Sequence, residues 1–336
     1  MRSFIDSIRI PSRPPTIAPE YFGAFCCTAD KCPDSCCRSG WEITIDDDTY
    51  AAYKAAGASD IDENLTVGSD GDRIFRLKPD GSCSYLRDDG LCSLYILTDG
   101  RLGEICSMYP RFVEEYDGFN ETGISVSCPA ARELVLLGSR EDYRLEGERP
   151  MEELLSFLHS ARKHAFDIVY GGESAYSASI KLEAFGAYLQ QMIDLWELDF
   201  TSRDVREFEK LFAEGGIPVS KENTESFCTQ ILMNTEILYP EWEDLLKRRK
   251  SGAAHYDGDD SRERAYLAYL VFRFFLKAVC TEDIYTACKF IRNAYLLCRS
   301  LECGFERAIG LFSKEIEHDA ENYAQLLEVM CCEQNG

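Results

Sequence analysis

Cys27-Thr28-Ala29-Asp30-Lys31-Cys32-Pro33-Asp34-Ser35-Cys36-Cys37 is the stretch on which the reading of this chain turns. Four thiols sit close together, broken by Pro33 and by turn-forming Asp and Ser, so the segment reads as a loop and not as a helix face. Working outward, a second block follows: Cys83, Cys92, Cys106 and Cys128. Each lies beside a turn former or an aromatic, in Gly81-Ser82-Cys83, Gly90-Leu91-Cys92, Cys106-Ser107-Met108-Tyr109-Pro110 and Cys128-Pro129. Thiolates presented from loops are soft ligands, and soft ligands select zinc or iron–sulfur clusters.

The competing reading of clustered cysteines is a disulfide framework. The opening residues, Met1-Arg2-Ser3-Phe4-Ile5-Asp6, contain no apolar signal core, which predicts a cytoplasmic chain in a reducing compartment. Sixteen cysteines in 336 residues fall below the density of small disulfide scaffolds, and a 45% hydrophobic composition supports a sizeable core without staples. The histidines are His159, His164, His255 and His318, none near either cysteine block in sequence. The site therefore reads as sulfur-only. Two options stand at this level: zinc held by four cysteines, or an iron–sulfur cluster. The candidate ligands are Cys27, Cys32, Cys36, Cys37, Cys83, Cys92, Cys106 and Cys128. Adjacent side chains diverge, so one of Cys36 and Cys37 ligates while the other packs or serves a second site. Cys26 falls outside the spacing. Cys228, Cys280, Cys288, Cys298 and Cys303 lie on expected helices and read as small buried hydrophobes.

The net charge is −23, from 59 acidic and 36 basic residues. Nucleic-acid binding works by neutralising phosphates, so that class is disfavoured; solubility or a cationic partner fits. The most apolar segment, Ala265 to Cys280, is broken by Arg273 and Lys277, so no membrane span is expected.

The expected fold is mainly α: a Cys-rich metal-binding domain with short strands over residues 1–140, then an all-α domain over 141–336. In the first part, Trp41 to Ile45 alternates like a short strand, Asp46-Asp47-Asp48 offers an N-cap for a helix to about Ala56, and Ile74 to Leu77 reads as a strand. Pro79-Asp80-Gly81 and Asp88-Asp89-Gly90 read as turns of a hairpin around Cys83 and Cys92. Short helices are expected over Leu91 to Leu97 and Arg101 to Met108. The polar stretch 138–150 marks the boundary. Beyond it helices are expected over 151–170, 175–198, 202–213, 221–250 (broken before Pro240), 261–279, 281–298, 303–316 and 319–332. Thr201 or Ser202 caps the third of these.

Three segments together resemble a known family. They are Phe25-Cys26-Cys27 with Cys32, Cys36-Cys37-Arg38-Ser39-Gly40-Trp41 and Ile43-Thr44-Ile45-Asp46; Gly81 to Tyr95 around Cys83, Leu86, Gly90 and Cys92; and Cys106, Tyr109-Pro110-Arg111 with Ser125, Ser127-Cys128-Pro129 and Ala131-Arg132. This pattern resembles the flagellin lysine-N-methylases and, more loosely, zinc- or iron-chelating domains of the CxxCxxCC type. It departs from the family in placing Arg38-Ser39 before Gly40 and in having Cys26 where a polar residue is usual. The resemblance implies an enzyme: methyl transfer from S-adenosylmethionine to lysine ε-amines of flagellin or another lysine-bearing protein, with a bound iron–sulfur cluster of the 4Fe-4S type.

An acceptor lysine must be neutral to attack a sulfonium, yet near pH 7 it is mostly protonated. A carboxylate or tyrosine must guide and deprotonate it. Tyr109, Asp46 and Glu114, with Glu42, lie near the cysteine motifs and are the candidates. Gly171-Gly172 and Gly215-Gly216 follow expected helices and not strands, which argues against a Rossmann nucleotide loop. Two other classes compete: a non-catalytic zinc or iron–sulfur module presenting an acidic helical surface to a basic partner, and an electron-transfer protein.

Overall fold

The computed structural model describes residues 15–68, 70–144, 152–172, 174–220, 224–249 and 258–332. Residues 1–14, residues 145–150 of the expected boundary, His255 and the Cys332 side chain lie outside the described residues.

The chain is mainly α-helical. After β1 (Thr16–Ile17) come two short 3-10 turns over the first cysteine block, Ala29–Lys31 and Cys36–Arg38. There follow α1 (Asp47–Ala55), β2 (Leu65–Val67), β3 (Arg73–Phe75), α2 (Ser93–Leu97) and α3 (Glu104–Met108). A hairpin of β4 (Arg111–Tyr116) and β5 (Phe119–Ile124) leads to α4 (Pro129–Leu136). From there the elements are helical: α5 (Glu153–Tyr170), α6 (Ala175–Asp194), α7 (Ser202–Ala213), α8 (Thr224–Asn234), α9 (Pro240–Arg248), α10 (Asp260–Phe274), α11 (Ile284–Ser300), α12 (Phe305–Phe312) and α13 (Ala320–Cys332).

Local chemistry places many of these boundaries. Asp46 caps α1 by accepting from the Thr49 N–H at 2.7 Å, and Asp283 caps α11 through the Thr286 N–H at 2.8 Å. Thr201 caps α7, with Asp204 reaching back to the Thr201 N–H at 2.8 Å to complete a capping box. Pro129 and Pro240 occupy first-turn positions, where a missing N–H costs nothing. The aromatic run in α10 is buried on every side, from Ala265 through Phe272, which makes it the central helix. Against it the structure sets two differences from expectation. Helix α10 tightens into a 3-10 turn over Phe275–Cys280, and Cys280 is exposed there and not buried.

The strands are short. Trp41 to Ile45 does not form a strand; it contributes a single bridge from Thr44 to Ile74, with Ile45 N–H donating to Arg73 O at 2.8 Å. The hairpin expected around Cys83 and Cys92 is reduced to bridges Leu77–Cys83 and Leu86–Cys92. The better-formed sheet lies elsewhere. It has the order β1-β5-β4, with β4 and β5 antiparallel around Asp117-Gly118 and β1 parallel to β5.

Two hydrophobic cores result. A small one gathers Ile45, Tyr53, Ala58, Ile61, Leu65, Phe75, Tyr85 and Leu94. The large one joins Phe119, Ile124, Val126, Ala131 and Val135 to the helices from α5 onward, so it runs across residue 140. No helix among the described residues is long and apolar enough to cross a membrane.

Candidate functional site

The two cysteine blocks fold onto each other. The Cys83 N–H donates to Cys37 O at 2.8 Å, strapping the second block to the first. Gly90, at φ +83°, brings its turn against Asp30; a side chain there would meet the Asp30 Cα at 3.3 Å. Helix α3, which carries Cys106, is tied to the small core by Gly103 N–H donating to the Tyr53 hydroxyl at 2.6 Å.

Backbone N–H groups two or three residues downstream act on several of the sulfurs. The Ala29 N–H donates to the Cys27 sulfur at 3.4 Å. That of Tyr85 acts on Cys83, those of Tyr95 and Leu94 on Cys92, and those of Ala131 and Ala130 on Cys128. Cys92 and Cys128 stand at the N-cap positions of α2 and α4, without a close capping hydrogen bond. N–H groups aimed at sulfur favour thiolate over thiol. Burial opposes them: it raises Cys83, Cys92 and Cys128, and pushes Cys106 up to about 12. Cys36 and Cys37 share a hydrogen bond between their sulfurs, which raises Cys36 and lowers Cys37.

The thiols act on one another across both blocks, with Cys36 and Cys37 as the link. The thiols weighing most on Cys106 are Cys37, Cys83 and Cys92, while Cys37 and Cys92 weigh on Cys83. Cys128 feels Cys32 and Cys27, and after Cys37 the closest influence on Cys36 is Cys27, then Cys106. Among the described residues no group of three or more His, Cys, Asp or Glu side chains stands at the spacing of a bound ion. The donor set itself, sulfur-rich and supported by N–H groups, fits zinc or an iron–sulfur cluster.

Beside the thiols lies a polar network that sequence spacing does not reveal. Tyr109 Oη and Ser127 Oγ are 3.0 Å apart, and Ser127 Oγ and Ser125 Oγ 2.8 Å. His318 Nε2 bonds both hydroxyls, at 2.8 Å to Ser127 and 2.9 Å to Ser125, while Ser313 Oγ bonds Ser125 at 2.9 Å. Ser125, Ser127 and Ser313 are buried. The His318 residue as a whole is exposed, with Nε2 turned inward. Trp41 packs edge-on against Tyr109 at 5.1 Å and tilts over His318 at 5.7 Å. The burial around Nε2, with the cations Arg273 and Lys314, depresses the His318 pKa to about 4. Burial pushes Tyr109 well above the usual phenol range.

A π turn delivers His318. Residues Ser313–Glu317 continue α12 with wider turns, closed by His318 N–H donating to Ser313 O at 3.2 Å. Single π turns often occur at functional sites. The same turn carries Lys314, whose Nζ grips Asp34 of the first cysteine block at 2.8 Å. Tyr239, at the start of α9, donates to Ser39 O at 3.1 Å. The helical part thus holds the thiol loop directly.

The chain matches no family model, no curated protein and no solved structure.

Of the four candidate catalytic residues, Glu42 is exposed and the other three land in different settings. Tyr109 lies in the hydroxyl–imidazole network, next to the thiols. Glu114, on β4, pairs with Arg273 and, at 3.0 Å, with Lys277; the Arg273 guanidinium lies 4.1 Å over the Phe112 ring. Asp46 is spent as the α1 cap, with both oxygens on Thr49, and its pKa is lowered by those bonds. Ser125 and Ser127 belong to the motif already noted, but His318 comes from 191 residues beyond Ser127. Glu114 and Lys277 also line a cavity of about 660 Å³, together with Tyr116, Thr281, Tyr323 and Leu327.

Proposed function

We propose that this chain is an S-adenosylmethionine-dependent protein-lysine N-methyltransferase that carries a thiolate-bound metal centre, an iron–sulfur cluster of the 4Fe-4S type. The observation that carries the proposal is the meeting of Trp41 and Tyr109 from the cysteine motifs with Ser125, Ser127 and His318 beside the thiols.

Four of the eight candidate cysteines would hold the cluster. When bound, the methyl donor supplies a methyl group activated by its sulfonium. The chain's own residues do the rest. Tyr109 stays a neutral phenol and can orient an amine through its hydroxyl. His318, held near pKa 4, is neutral at pH 7 and does not repel an arriving ammonium. Its exposed edge gives the buried hydroxyls a link to solvent. The 660 Å³ cavity has the volume of a nucleotide-sized ligand site, and Tyr116 and Tyr323 in its lining offer aromatic faces to a cation. The −23 charge favours encounter with lysine-rich surfaces such as flagellin.

The test is direct. Anaerobically purified protein, incubated with S-adenosylmethionine labelled at the methyl group and with flagellin, is expected to label lysine ε-amines. Metal-loaded protein that transfers nothing to flagellin or to other lysine-bearing proteins would overturn the reading. A second reading, a non-catalytic thiolate-metal module for a basic partner, is favoured by one observation. Glu114 is engaged by Arg273 and Lys277 and Asp46 by its helix cap, which leaves fewer carboxylates for an amine. Tight partner binding without affinity for S-adenosylmethionine would select it.

A further inference from the structure

We infer that the cavity of about 660 Å³ beside the β4–β5 turn is a binding site for an aliphatic polyamine, a methylene chain carrying two or more ammonium groups. The site does not depend on the methyl-transfer reading. It would hold its ligand whether or not the chain transfers methyl groups.

The charge of the lining is the first argument. The walls come from the end of β4 and its turn, the start of α5, the 3-10 turn Phe275–Cys280 with the start of α11, and α13. Six carboxylates and one lysine line them. Two of the carboxylates are spent: Glu114 is shared by Arg273 and Lys277, and Asp283 caps α11. The inner end, where Lys277 sits, therefore carries no surplus of negative charge. Four carboxylates remain, Glu115, Asp117, Glu152 and Glu328. All four are exposed, and among the described residues none has an ion-pair partner. They stand on three different elements, so several cationic groups can be met at once along the solvent side. Carboxylates of one sign around a low-dielectric cleft focus their field on an arriving cation.

The second argument is the interior. Leu155, Ala278 and Ala287 are buried, and Val279 and Leu327 are half-buried beside them. Such a floor gains from every methylene that it covers. Tyr116 and Tyr323 share the lining, and neither hydroxyl has a hydrogen-bond partner among the described residues. Burial keeps both phenols neutral, and a neutral phenol oxygen accepts from an ammonium N–H. An apolar pocket with a few unused polar groups has the make-up of a small-ligand site. A bare divalent ion does not fit, since no group of side chains among the described residues has the spacing to hold one. A peptide fits less well than a polyamine, because its backbone N–H and C=O groups would meet the apolar floor unpaired.

Isothermal titration of spermidine into the full chain, at about 150 mM salt to screen the diffuse pull of a −23 protein, tests this. Saturable one-to-one binding is expected. Glu115→Gln/Glu328→Gln should weaken it about tenfold, and Tyr116→Phe/Tyr323→Phe about threefold or more. Glu207→Gln/Glu214→Gln removes two exposed carboxylates at α7, outside the cavity, and should change nothing. Equal weakening by both carboxylate pairs, or many weak sites emptied by magnesium chloride, would show only overall charge at work and would overturn the inference. So would a lysine-rich peptide that depends on Glu115 and Glu328 while spermidine does not bind. S-adenosylmethionine bound there, with no affinity for spermidine, would also overturn it and leave the methyl-transfer reading standing. Spermidine bound as expected, with no methyl transfer to any protein, would sink that reading and keep the site. Circular dichroism checks each variant; the exposed carboxylate pair decides the matter if the tyrosine pair does not fold.

Discussion

At the scale of single residues, the contact between Tyr109 and Ser127 separates a functional tyrosine from a packing one. Tyr109→Phe keeps the ring against Trp41 but removes the hydroxyl from the chain that ends on His318. Methyl transfer is expected to fall about tenfold or more, while stability, read by urea unfolding, falls by about 1 kcal/mol, the worth of one hydrogen bond. Equal turnover by the two proteins would remove Tyr109 from the chemistry. Glu315 yields a pH prediction. It is fully buried, and it accepts the N–H groups of Leu238 and Tyr239 at 3.0 and 2.7 Å, yet burial pushes its pKa from 4.5 up to about 7. The folded state therefore keeps this proton after the unfolded chain has released it. Stability from this group is full below about pH 4.5 and is lost as pH rises to about 7, a change on the order of 3 kcal/mol. The gap in unfolding free energy between wild type and Glu315→Gln should shrink by that order across the window; a gap independent of pH would refute the assignment. Sequence spacing exposed the thiols, because loop motifs are local. It could not expose His318, whose partners lie 191 and 193 residues away.

At the scale of elements, the helices were largely legible and the better sheet was not. Caps at Asp46, Thr201 and Asp283 and the prolines at 129 and 240 act within a turn of where they sit, so they can be read in order. The β4–β5 hairpin hides for a physical reason. Glu121 sits in the middle of β5 with 1% exposure, and a buried carboxylate breaks the apolar alternation that announces a strand. The Asp117-Gly118 turn was its remaining signal, with Gly118 at φ +81°. Helix contacts give their own test. A side chain at Gly186 would meet the Cys288 Cβ at 2.6 Å, where α6 rests on α11. Gly186→Ala should destabilise the protein by about 1–3 kcal/mol through overpacking, despite its better helix propensity. Thermal melting checks this; an unchanged or raised midpoint would show that the two helices part easily.

At the scale of the whole molecule, a fully buried ion pair joins β5 to the helices, beside the pairs that Glu114 of β4 makes with Arg273 and Lys277. Arg162 on α5 meets Glu121 on β5, with an Nη1–Oε2 distance of 2.8 Å, and both are nearly inaccessible to water. Arg162→Met alone leaves a buried carboxylate without a partner and is expected to cost about 3–5 kcal/mol, whereas adding Glu121→Leu should restore most of it. Urea unfolding of the single and double variants distinguishes this from mere loss of packing, which the second change would not repair. The large core that surrounds this pair crosses residue 140, because composition marks where polar loops lie and not which apolar faces meet. The π turn at Ser313–Glu317 has the widest reach. A helix advances about 100° per residue, so the direction in which His318 looks depends on how many residues precede it and not on which ones they are. Shortening the turn by one residue would leave every partner side chain in place and swing the imidazole off the serines. The site is therefore open to change by insertion and deletion, a kind of mutation that substitution scans never sample.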